Sequence, residues 1–204
     1  MNLKTNPELL PLVEWWEKDG KSTVIWLLVA AIAVGGWHYW KTSCAAKKAA
    51  ASEAVVSVYT AEEIEDAIVK FAGSASEGAL KLRLAKSYYD AGRYDEALAQ
   101  YEAMENAAPK GFEDVPVVGK AHCLEALGKF DEAAALFDNF ADQNPKSFLA
   151  LTAQLGSVRC FAQQGDQKKA LARIDALKAA NKDDELSLAR IEATEKLVKR
   201  YQAK

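Results

Sequence analysis

The chain has 204 residues, of which half are apolar, 27% are charged and five are proline. That composition excludes a disordered or collagen-like chain, and a net charge of −3 excludes the basic footprint of a nucleic-acid-binding domain. Three cysteines and two histidines are too few and too scattered for a zinc module, so no metal or other cofactor is expected. Thirty-eight residues are alanine, the best helix former, so an all-α chain is expected.

All five tryptophans, Trp15, Trp16, Trp26, Trp37 and Trp40, lie in the first 40 residues. The stretch 22–40, between Lys21 and Lys41, carries no charge. As a helix it reaches about 28 Å, close to the roughly 30 Å of bilayer hydrocarbon. Trp15 and Trp16 on one side, and Trp37, Tyr39 and Trp40 on the other, fit the two aromatic belts of a membrane-spanning helix. A cleaved signal peptide would end in small residues, whereas this run ends in Gly36-Trp37-His38-Tyr39-Trp40. A lipoprotein box before Cys44 would need an apolar residue where Lys41 stands; other lipidation or crosslinking at Cys44, near the membrane, is the minor alternative. Lys4, Lys18 and Lys21 before the span balance Lys41, Lys47 and Lys48 after it, so charge bias does not set its orientation. His38 reads as part of the belt. The expected organisation is a short tail (1–21), a transmembrane helix (22–40), a helical stalk or linker (41–59) and a repeat domain (60–204).

Beyond the span, Thr60-Ala61-Glu62-Glu63 reads as a capping box opening a short helix to about Ala72. A repeat then takes over. Ala85, Tyr88, Gly92, Tyr94, Ala97, Tyr101 and Pro109 recur 36 residues on as Ala121, Leu124, Gly128, Phe130, Ala133, Phe137 and Pro145. A further shift of 37 gives Val158, Phe161, Gly165, Gln167, Ala170 and Ile174, a more degenerate copy. In each copy a first helix ends at the glycine, which adopts a left-handed conformation without strain. A second helix carries the small and aromatic stripe, and proline stops it in the first two copies. The spacing predicts three helical hairpins: 80–91 with 94–107, 115–127 with 130–142, and 148–164 with 167–179. Tyr101 and Phe137 are expected to plug the space between the two helices of their hairpins. A last amphipathic helix, 184–202, is expected to cover the open end of the stack.

Gly92-Arg93-Tyr94-Asp95-Glu96-Ala97 and Gly128-Lys129-Phe130-Asp131-Glu132-Ala133 resemble the turn signature of the tetratricopeptide repeat (TPR). The resemblance implies an α-solenoid whose groove is lined by the first helix of each hairpin. The groove candidates are Leu82, Lys86, Tyr89 and Asp90 in the first copy, Val118, His122, Glu125 and Ala126 in the second, and Leu155, Arg159, Ala162 and Gln163 in the third. Lys86, His122 and Arg159 share one repeat position and are expected to form a basic ladder. Cys123 and Cys160 also share a position and read as small packed residues, not a disulfide.

The chain carries no phosphate-binding glycine loop, no HExxH, no GxSxG and no CxxC, and its acidic pairs sit at helix starts, where the helix dipole favours them. No catalytic residues, no enzyme activity and no small-molecule substrate are therefore expected. Around the span, Trp15-Trp16-Glu17-Lys18-Asp19-Gly20-Lys21 and Gly36-Trp37-His38-Tyr39-Trp40 resemble the flanking motifs of YfgM-like proteins, ancillary subunits of the bacterial SecYEG translocon. That resemblance implies a single-pass inner-membrane protein with a cytoplasmic N-terminus and a periplasmic repeat domain. Its implied partners are translocon subunits, periplasmic chaperones or secreted clients, bound without catalysis. A structural scaffold for an envelope-assembly or cell-division complex is the alternative.

Overall fold

In the computed structural model the described residues run from 10 to 201, and all regular structure among them is helical. Lys4, the start of the 1–21 tail, and Gln202 of the last expected helix lie outside the described residues. The chain divides into two compact units at Ala50 and Ala51.

In the first unit, α1 (Leu10–Trp15) runs through one wider π-helical turn (Trp16–Gly20) into α2, which spans Lys21–Ser57. Gly20 is buried under the Trp15 and Trp16 rings; a Cβ there would lie 2.9 Å from a Trp16 ring carbon. From Ile25 to Trp40, α2 is apolar on every face, and its large side chains are exposed all round. This helix is long and apolar enough to cross a membrane. The stalk expected after the span is helical as far as Ser57.

The second unit begins with the last turns of α2, where Ala51 and Ala54 are buried. Then come α3 (Ala61–Lys70), α4 (Glu77–Asp90), α5 (Tyr94–Met104), α6 (Asp114–Ala126), α7 (Phe130–Gln143), α8 (Ala150–Gln163), α9 (Gln167–Ala180) and α10 (Glu185–Tyr201). The Thr60 capping box forms as the sequence predicts. Thr60 Oγ1 accepts the Glu63 amide at 3.2 Å, and Glu63 Oε2 accepts the Thr60 amide at 3.1 Å.

The hairpins α4–α5, α6–α7 and α8–α9 match the expected repeats to within a few residues. Each turn is closed by the same cap. Gly92, Gly128 and Gly165 all have positive φ. The amides of Arg93, Lys129 and Asp166 each reach back 2.9 Å to the carbonyls of Tyr88, Leu124 and Phe161. The degenerate third copy therefore folds like the other two. The small positions Ala85, Ala121 and Val158, and Ala97, Ala133 and Ala170, are all fully buried where the paired helices approach.

The aromatic plugs are buried, and each also reaches beyond its own hairpin. A Cβ on Gly119 would lie 2.6 Å from two Tyr101 ring carbons, and one on Gly156 would lie 2.6 Å from two Phe137 ring carbons. Each ring therefore presses on the first helix of the following hairpin, and it joins hairpins as well as filling one. Arg83 stands at the same repeat position in the first hairpin. Its guanidinium donates to the Val55 and Val58 carbonyls at the end of α2, where helix carbonyls lack intrahelical partners.

At the far end α10 packs on α8 and α9, with Ile191 and Val198 fully buried. Leu186 is exposed in the first turn, where Asp184 caps the helix by accepting the Leu186 and Ser187 amides.

Candidate functional site

The first helices of the hairpins, α4, α6 and α8, lie side by side and form one face of the repeat unit. That face places most of the predicted groove residues together, with three exceptions. Val118 and Leu155 are buried in the core shared by α6, α7 and α8, so they are not at the surface. Both sit in a core to which α9 and α10 also contribute, and the pattern of one isolated helix does not reveal that packing. Ala162 is buried as well, whereas Ala126 is exposed.

A pocket of about 490 Å³ opens on this face. Tyr89, His122, Glu125, Ala126, Arg159 and Gln163 contribute to it, all of them groove candidates. Phe130, Leu197 and Tyr201 also line it, and the sequence reading missed them in this role. In the sequence Phe130 belongs to the repeat pattern and Leu197 and Tyr201 to the terminal helix 184–202, so nothing marks them as lining the first-helix face.

Arg159 grips Glu125 with both arms of its fork: Nε donates to Oε1 at 2.8 Å and Nη2 donates to Oε2 at 2.7 Å. Gln163 Nε2 adds a third donor to Glu125 at 3.2 Å. The His122 ring approaches both partners, with Nδ1 at 3.4 Å from Glu125 Oε2 and from Arg159 Nη2. Burial opposes both charges. The hydrogen bonds and attraction from His122 and Arg159 nevertheless hold the Glu125 carboxyl below its ordinary range, and Glu125 in turn raises the Arg159 guanidinium. Burial also pushes the Tyr89 hydroxyl up, and the Glu125 charge adds to the shift.

The expected basic ladder is therefore not a free one. Arg159 is neutralised by Glu125 across two helices, and Lys86 pairs with Asp90 one turn further along α4. Aromatic edges complete the wall: Tyr89 meets Tyr94 at 5.3 Å and His122 at 6.5 Å, and His122 meets Phe137 at 4.9 Å. The face so built offers aromatic surface and a paired charge cluster.

Leu82 and Lys86 line a second, almost wholly apolar pocket of about 320 Å³ at the start of the same face. Cys123 and Cys160 are buried and free, and burial pushes their thiols up to about 11 and about 12. Cys44 is exposed. In the first unit Trp15 and Trp16 are about half exposed, and Trp37, Tyr39 and Trp40 more so. The Trp37 and Trp40 rings meet at 5.5 Å.

The tetratricopeptide repeat-like domain family matches residues 13–183, most of the chain, and the chain belongs to that family. No curated protein and no solved structure matches it. Domains of this family are typically protein-interaction modules.

Proposed function

We propose that, within this family, the chain is a membrane-anchored adaptor that binds client proteins on the α4–α6–α8 face without catalysing a reaction. The observation that carries the anchor is the helix from Ile25 to Trp40, apolar and exposed on all sides. Such a surface is stable in hydrocarbon and a liability in water. Aromatic side chains at both ends suit the two interfaces. In this reading 22–40 spans the bacterial inner membrane, residues 1–21 are cytoplasmic, 41–59 lead away from the membrane, and 60–204 form a periplasmic repeat domain.

The flanking motifs that resemble YfgM-like proteins support a place beside the Sec translocon, with translocon subunits, periplasmic chaperones or secreted proteins as partners. Binding is assigned to Leu82, Lys86, Tyr89, Asp90, His122, Glu125, Arg159 and Gln163. Protease added to spheroplasts tests the placement. The repeat domain should be digested while the inner membrane is intact; a domain that survives until that membrane is lysed contradicts the orientation.

A further inference from the structure

We infer that the apolar pocket at the start of the α4–α6 face takes a bulky apolar side chain from a partner protein segment whose neighbouring residues are acidic. The inference rests on the adaptor reading and gives its partner a chemistry. The pocket walls are Val55 from the end of α2, Ala79 and Leu82 from α4, Phe112 from the α5–α6 loop and Val115 from α6. Phe112 is 52% exposed, so its ring is left as an open flank. Water in such a pocket finds few hydrogen-bonding partners, and an apolar side chain displaces it favourably.

The charged groups on this pocket have one sign. Arg83 and Lys86 both line it, and no carboxylate does. The Arg83 hydrogen bonds go to the Val55 and Val58 carbonyls. The end of a helix supplies only about half a negative charge, so the guanidinium retains net positive potential. Lys86 pairs with Asp90, but the two side chains are 63% and 58% exposed. An exposed pair of this kind is weak, and an incoming carboxylate can replace or share it. Glu113, next to Phe112 in the chain, is turned onto the Gly111 amide at 2.7 Å. An apolar side chain in the pocket thus places its neighbours beside two cations, which favours aspartate or glutamate there and disfavours lysine or arginine.

The test uses the full chain in detergent micelles and fluorescence anisotropy. One probe is a fluorescein-labelled peptide with a single phenylalanine flanked by aspartates; the second has the same phenylalanine flanked by lysines. The acidic probe should bind about tenfold more tightly than the basic one, with the gap narrowing as salt shortens the screening length. Lys86→Glu, at an exposed position, should remove most of that preference. Ala79→Leu, which fills the pocket, should weaken the acidic probe while the thermal melt stays near wild type. Equal binding of the two probes, or no binding of either, overturns the inference. So does an acidic probe unaffected by both variants but lost in Tyr89→Ala, which would put the segment in the Tyr89–Arg159 pocket and leave the adaptor reading intact. Self-association of the wild type that Ala79→Leu abolishes in sedimentation would make a second copy the occupant, and would also overturn it.

Discussion

Alanine at Gly156 should destabilise the repeat unit, although helix propensity alone predicts the reverse. Replacing a glycine inside a helix with alanine ordinarily stabilises by about 1 kcal/mol. In α8 the new methyl would lie 2.6 Å from two Phe137 ring carbons and 2.8 Å from a third. Ordinary carbon contacts are about 3.5–4.0 Å, so the ring must retreat by roughly 1 Å. Phe137 is fully buried, with the His122 ring edge-on against it at 4.9 Å, and has little room to move. Overpacking of this kind costs about 1–3 kcal/mol, and the severity of the overlap places Gly156 at the upper end. The net loss is then about 2 kcal/mol, or a fall in melting temperature of about 4–8 °C for a unit of this size. Gly119→Ala should lose less, because Tyr101 is 5% exposed and its ring has a way out. Urea unfolding of the full chain in detergent, followed by circular dichroism, measures both. In a double-mutant cycle, Phe137→Leu should relieve Gly156→Ala by about 1 kcal/mol or more. A Gly156→Ala variant more stable than wild type would refute the packing of Phe137 on α8.

Three further outcomes follow from the charges and thiols. Lys178 and Lys199 hold the Glu195 carboxyl down at about 2, against 4.5 for the free group. Its contribution is therefore present above pH 4.5 and lost as pH falls through about 2; Glu195→Gln should cost about 1 kcal/mol at pH 7 and progressively less in urea melts as pH falls from 4.5 towards 2. Glu125→Gln leaves the Arg159 charge half-buried without its counter-ion and should cost about 2–3 kcal/mol, and adding Arg159→Gln should recover part of that; a double variant that loses the sum of the two single-variant losses would mean the pair is not coupled. In a maleimide titration at pH 7, Cys44 should react in the native chain, whereas Cys123 and Cys160 should react only after unfolding; native labelling of either would contradict their burial.

Much of the fold was legible because single residues dictate it. Gly92, Gly128 and Gly165 take the left-handed conformation that closes each hairpin, and their spacing exposed the repeat even where the third copy carries Gln167 and Ile174 in place of the second-helix aromatics. The buried small positions and the Thr60 capping box were legible for the same local reason. Contacts between repeats were harder to read. Val118 and Leu155 carry the same helical phase as Leu82, and only packing against other helices of the stack decides that they are covered. The pairing of Arg159 with Glu125 joins residues on different helices, so a ladder read from repeat spacing alone counted the cation and missed its partner. One signal was available and unused. Gly119 and Gly156 are glycines inside helices, 37 residues apart, a spacing that marks the landing sites of Tyr101 and Phe137.

Site-specific photo-crosslinking in native membranes tests the adaptor account most directly. A crosslinker at Tyr89, on the α4–α6–α8 face, is compared with one at Asn139, exposed on α7. The account predicts crosslinks from Tyr89 to translocon subunits, chaperones or proteins in transit, and few from Asn139. Crosslinks from Asn139 alone, or none from either position, would contradict it.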